Sequence, residues 1–192
     1  MAKKDIILSG VGGQGILSIA TVIGWAALDQ NLHLKQAEVH GMSQRGGDVQ
    51  SNLRISTERI WSDLIPKGEC DLILSLEPME ALRYLPWLSK GGWIVTNSTP
   101  FVNIPNYPPV EEITAELQKI GNVITLDCDE IAKQTGSPRS ANMVLLGASA
   151  AVLEILDPEK LREGIASVST SPTNWRNCPE RSSCILSSVF PA

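Results

Sequence analysis

Two glycine-bearing clusters hold the residues of this chain best suited to binding chemistry. The first is Gly10, Gly12, Gly13, Gln14 and Gly15, placed after the short apolar run of residues 5–9 and before an amphipathic stretch. Gly10, Gly12 and Gly15 fit the spacing G-x-G-x-x-G. Without Cβ the backbone can turn sharply, approach an anionic group and let a helix pack close to a strand. Gly12 in this reading either takes a positive φ or faces a ligand backbone-first. A helix opening near Ile16 would aim unpaired N–H groups and its positive dipole end at a phosphate or another polar ligand. The plainer alternative is a glycine turn that serves only strand–helix packing. A dinucleotide site also needs an acidic residue about 20 positions further on to hold the ribose hydroxyls. Glu38 stands in that region, but among mixed residues rather than at a clean strand end.

The second cluster is Ser43, Gln44, Arg45, Gly46 and Gly47, between His40 and Asp48. Arg45 offers a forked cation that matches phosphate or carboxylate, Gly46 and Gly47 let the backbone turn in close, and Ser43 and Gln44 add hydrogen-bonding groups. If a second strand ends near His40, this segment starts on the ligand side of the sheet, beside the first glycine turn. Its plain alternative is a surface loop with a solvated arginine. Neither cluster contains a general base, a nucleophile or a metal ligand set, so no catalytic residue is assigned.

Composition narrows the function. The chain has 192 residues, enough for one domain with a sizeable core, and a net charge of −5, which argues against general nucleic-acid binding. No apolar run reaches the ~18 residues of a membrane span, and Met1-Ala-Lys-Lys-Asp lacks the apolar core of a signal peptide, so a cytoplasmic location is expected. The four cysteines, Cys70, Cys128, Cys178 and Cys184, form no C-x-x-C pair, and only His33 and His40 could assist them. A zinc site or iron–sulfur cluster held by this chain alone is not expected. Cys70 and Cys128 read as buried thiols.

The elements that must position the clusters alternate. Strands are expected at residues 5–9, 34–39, 49–56, 71–76, 93–96 and 122–126. Helices are expected at 15–30, 78–88 (closed by Gly91-Gly92), 110–120, 129–134 and 137–156, and another opens at Asp157-Pro158-Glu159 with Leu161 and Ile165 on one side. The stretch 137–156 is apolar nearly all round and should be buried in the domain or against a partner. Residues 98–109 carry four prolines and read as a loop. The pattern predicts an α/β fold: a Rossmann-like, doubly wound, mostly parallel sheet in a single domain.

Taken together, Gly10-Val-Gly-Gly-Gln-Gly15 and Glu38-Val-His-Gly-Met-Ser-Gln-Arg-Gly-Gly47 resemble the gamma subunit, or gamma domain, of 2-oxoacid:ferredoxin oxidoreductases. Within that family the second motif is most similar to the indolepyruvate branch. Arg139-Ser-Ala-Asn142-Met-Val-Leu-Leu-Gly147-Ala resembles the family's last helix, and the likeness runs from residue 4 to about 168. The resemblance implies oxidative decarboxylation of a 2-oxoacid to an acyl-coenzyme A. Thiamine diphosphate and iron–sulfur clusters would lie on a catalytic alpha-subunit partner, and electrons would leave to ferredoxin through the complex. It implies that this chain helps hold coenzyme A at the two glycine motifs. The alternative is an assembly scaffold with no small-molecule site. A nicotinamide-dependent enzyme ranks third because the ribose acid is missing. The expected domain spans residues 1–170; the irregular tail at 171–192 departs from the family pattern and reads either as a loop on an interface or as non-native sequence.

Overall fold

Ile6 and Leu8 face one hydrophobic core and Ile7 faces another, so the first strand is buried on both sides. A strand of that kind belongs in the middle of a sheet covered by helices on both faces. The computed structural model, which describes residues 2–40, 47–102 and 104–170, shows that arrangement. Its strands are β1 (Lys3–Val11), β2 (His33–His40), β3 (Asp48–Ser56), β4 (Cys70–Ser75), β5 (Leu88–Asn97) and β6 (Val123–Leu126). Its α-helices are α1 (Ile16–Asp29), α2 (Pro78–Arg83), α3 (Val110–Gln118), α4 (Cys128–Gln134), α5 (Ala141–Ala148) and α6 (Pro158–Thr170). The sheet order is β2-β3-β1-β4-β5-β6. Residues of α1, α4, α5 and α6 build the larger core on one face, and those of α2 and α3 build the smaller core on the other.

The predicted α/β class holds, with a sheet whose β1, β4, β5 and β6 are mutually parallel. One strand is reversed: β3 runs antiparallel to both β1 and β2. The cause is chain length. Returning in parallel would need a crossover of a dozen or more residues, and the link from His40 to Asp48 is too short for one. The strand β3 therefore comes back as a hairpin arm and separates β2 from β1.

Three expected elements differ in extent. The helix expected over residues 78–88 stops at Arg83 and becomes a 3-10 turn, Leu85–Trp87. Pro86 explains this, since it has no N–H to donate and its ring crowds the preceding turn. Gly91 and Gly92 do not close that helix; they lie inside β5. A Cβ on Gly92 would stand 2.8 Å from the carbonyl of Cys70, so glycine is what lets β5 pass β4 there. The apolar stretch 137–156 is helical only over α5 and then proceeds through tight turns. The Ser149 hydroxyl donates to the Leu146 carbonyl at 2.6 Å, a local bond that competes with continued helix. This stretch is buried within the domain itself, with Leu145, Leu146, Leu153 and Leu156 in the larger core.

Candidate functional site

The connections leaving β1 and β4 diverge. From β1 the chain goes through α1 to β2 at one side of the sheet; from β4 it goes through α2 to β5 at the other. These two helices cover opposite faces. The carboxyl ends of β1 and β4 are thus the topological switch point, where open α/β sheets leave a crevice for ligands. The first glycine cluster lies there.

Each glycine of the turn does a different job. At Gly10 a Cβ would sit 2.8 Å from Gln14 Oε1 and 3.0 Å from Ile16 Cδ1, so its bareness lets the turn fold back on β1. Gly13 has φ +104, is exposed, and has nothing within 4 Å of where a Cβ would be. Gly15 has φ +85 and caps α1 in the left-handed region; a Cβ there would meet Asn142 Nδ2 at 2.6 Å. Gly12 is not among the positive-φ glycines, so the first alternative for it is set aside. Its N–H instead donates to the Gly47 carbonyl at 2.9 Å. That bond joins the first glycine cluster to Gly47, the last residue of the second, at the carboxyl end of β1, where Val11 pairs with Asp48. Ser43, Gln44, Arg45 and Gly46 lie outside the described residues.

Gln14 is tied down at both ends of its amide. Its Oε1 accepts from the Val11 N–H at 2.7 Å and its Nε2 donates to the Leu76 carbonyl at 3.2 Å. It is a strut across the switch point. Asn142, from the segment whose wording stood out in the sequence, donates from Nδ2 to the Gly15 carbonyl at 3.2 Å and braces the turn from α5. Nothing in the spacing of the sequence marked Asn142 for this place, because 127 residues separate it from Gly15.

The start of α1 favours an anion: among the described residues no side chain caps it and no acidic residue lies in its first turn, so its leading N–H groups and dipole are not quenched locally, while Asp48, Glu77 and Glu80 stand at the same end of the sheet. Among the described residues the buried Ser9 hydroxyl of β1 has no hydrogen-bond partner; it lies on the Ile7 face of the strand, away from α1. Glu38 is remote for a structural reason: with β3 inserted, β2 stands two strand spacings, about 10 Å, from β1. A cavity of about 320 Å³ opens at the opposite, amino end of the sheet, bordered by Lys4, Asp71, Trp93, Ile124, Val152 and Glu154. Its two carboxylates against one lysine make it a poor anion site, and the glycine clusters contribute nothing to it.

The two described thiols are inert packing groups. Cys70 lies in the smaller core and Cys128 in the larger, on opposite faces of the sheet. Burial pushes each up to about 12. Among the described residues no group of three or more His, Cys, Asp or Glu side chains could hold a metal ion. Cys178 and Cys184 lie outside the described residues.

A family model described as pyruvate ferredoxin/flavodoxin oxidoreductase matches residues 5–175. Indolepyruvate oxidoreductase subunit IorB of Pyrococcus horikoshii is 40% identical over 156 residues, which is 77% of each chain. The fold is also that of a keto/oxoacid ferredoxin oxidoreductase gamma subunit from Geobacter sulfurreducens. That likeness has a TM-score of 0.66 at 22% identity, covering 99% of this chain and 95% of that one. A 2-oxoglutarate:ferredoxin oxidoreductase from Magnetococcus marinus, solved with 2-oxoglutarate, coenzyme A and succinyl-CoA bound, gives a TM-score of 0.72 at 19% identity. There the match covers 98% of this chain but 30% of that one, so the same fold is one part of a longer polypeptide.

Proposed function

This chain belongs to the pyruvate ferredoxin/flavodoxin oxidoreductase family and is a subunit of a 2-oxoacid:ferredoxin oxidoreductase; from that premise we propose that it holds coenzyme A for an enzyme acting on indolepyruvate or another aryl pyruvate. The reaction is oxidative decarboxylation. The 2-oxoacid loses carbon dioxide, two electrons pass to ferredoxin, and the acyl group is transferred to the coenzyme A thiol. Thiamine diphosphate and the iron–sulfur clusters belong to the catalytic alpha subunit, which supplies the carbanion chemistry and the electron path. The isolated chain is inactive. The location of the complex is the cytoplasm; among the described residues no helix is long and apolar enough to cross a membrane.

One observation carries the coenzyme A reading: the Gly12 N–H to Gly47 carbonyl bond, which holds the last residue of the second motif at the switch point. A pyrophosphate suits that place on two counts: among the described residues no side chain caps the α1 N-terminus, and the Gly13 apex is open. Arg45, three residues from the first β3 residue, supplies the countercharge in this proposal, with Ser43, Gln44 and Gly46 beside it. Gly10, Gln14 and Gly15 shape the turn rather than touch the ligand.

The test is calorimetric titration of coenzyme A into the assembled complex and into the isolated chain. Binding should weaken in complexes carrying Gly12→Val or Arg45→Ala. If both variants bind coenzyme A as the parent does, the chain is a scaffold with no small-molecule site.

A further inference from the structure

Glu77, the residue that follows β4 into α2, is fully buried at the carboxyl end of the sheet. Among the described residues its carboxyl group accepts three hydrogen bonds. The Glu80 N–H donates to Oε2 at 2.8 Å, which is an ordinary helix N-cap. The other oxygen serves something else: Oε1 accepts from the Phe101 N–H at 3.4 Å and from the Tyr107 hydroxyl. Both donors belong to the proline-rich loop between β5 and α3. A cap needs only one oxygen. The second oxygen draws the chain leaving β5 back across the end of β4, toward the crevice.

Neighbouring contacts join this latch to the glycine turn. The Leu76 carbonyl, one residue before Glu77, accepts from Gln14 Nε2, and the Leu76 N–H donates to the Ser9 carbonyl at 3.1 Å. The Ser75 hydroxyl donates to the Glu77 carbonyl at 2.6 Å and fixes its backbone. Burial, and then the bond to Glu77, push the Tyr107 phenol well above its ordinary value, so its proton stays available to donate at neutral and mildly alkaline pH. While its backbone is pinned inward, the loop leaves Phe101 and Val102 45% and 66% exposed, on the ligand end of the sheet.

We propose that Glu77 is a positioning residue: through Tyr107 and Phe101 it holds the β5–α3 loop as the second wall of the crevice. Phe101 and Val102 then meet the apolar portion of the acyl-acceptor ligand whose phosphates lie at the glycine turn. This rests on the coenzyme A reading above. It adds a wall supplied by a different part of the chain, and a division of labour between phosphate-holding and arm-holding segments.

The experiment uses the complete complex carrying Tyr107→Phe, which removes one hydroxyl and keeps the ring, alongside Arg45→Ala as a control on the coenzyme A reading. Two quantities are read for Tyr107→Phe: amide hydrogen exchange of the peptide spanning 98–107, and KM for coenzyme A against KM for the 2-oxoacid and kcat. Loss of one buried hydrogen bond to a carboxyl group should speed exchange in that peptide and raise KM for coenzyme A by roughly three- to tenfold. KM for the 2-oxoacid should stay unchanged, whereas a merely structural role would move melting temperature and all kinetic constants together. Unchanged exchange overturns the latch. Faster exchange with an unchanged KM for coenzyme A, while Arg45→Ala raises that KM, overturns the wall and leaves the coenzyme A reading standing. If neither variant changes it, the coenzyme A reading fails and the wall fails with it. Should Tyr107→Phe fold poorly, Phe101→Ala, exposed and outside the core, tests the same KM split.

Discussion

At the scale of single residues, the site depends on where a side chain is forbidden. Gly15 combines a φ of +85 with Asn142 Nδ2 only 2.6 Å from any added Cβ. Gly15→Ala should therefore cost about 1–3 kcal/mol of stability through backbone strain alone, and Asn142 must also move. Urea denaturation reads this directly; an unchanged midpoint would mean that α1 can start in another conformation. Gly12 lacks the positive φ of Gly15, so Gly12→Val should show mainly as lost ligand affinity. The buried thiols give a second check. With Cys70 and Cys128 pushed up to about 12, the thiolate is a minute fraction at pH 8. Peptide mapping after treatment with a thiol reagent should find both unmodified in native protein and modified only after unfolding.

At the scale of elements, periodicity and glycine placement foretold most of the architecture. The residue pattern located every strand, and the start of α1 at Ile16 agrees with the position expected from the glycine cluster. Three features were not legible, each for a physical reason. The reversal of β3 is written in the shortness of a link rather than in any residue pattern. Gly92 resembles a helix stop in sequence, yet the close approach of the Cys70 carbonyl makes it part of β5. The stretch 137–156 is apolar along its whole length, which reveals burial but not where hydrogen bonding of Ser149 ends the helix. At the site, the glycine spacing was legible, and the Asn142 segment stood out by resemblance without revealing its bond to Gly15, while Glu77 and Tyr107 came from distant chain and carried no local signal. The packing of α6 on α1 brings Gly164 against Val22 and Trp25, with a Cβ at 3.2 Å from the Val22 carbonyl. Gly164→Leu should separate these helices and lower stability by about 1–3 kcal/mol through overpacking; thermal unfolding that matches the parent would contradict the tight contact.

At the scale of the whole molecule, the described residues form an α/β layer structure with Cys70 and Cys128 committed to its cores. In our reading the redox groups belong to the partner. Purified alone, the chain should show no iron–sulfur absorption and no oxidoreductase activity, and a brown preparation free of contaminants would contradict that division. The apolar stretch 137–156 is already covered by the domain's own elements, so it does not call for cover from residues 171–192. A chain ending at Thr170 should keep its melting temperature within about 3 °C, equivalent to about 1 kcal/mol for a domain of this size. A fall of many degrees would make the tail an integral part of the fold.

The central claim is that coenzyme A is held at the switch point by the two glycine motifs. Its most direct measurement is the dissociation constant of coenzyme A for the assembled complex, parent against Arg45→Ala. Loss of a charge-assisted pair to phosphate should weaken binding by roughly tenfold or more, about 1.4 kcal/mol, with the 2-oxoacid still binding normally. Equal affinities for parent and variant would contradict the account.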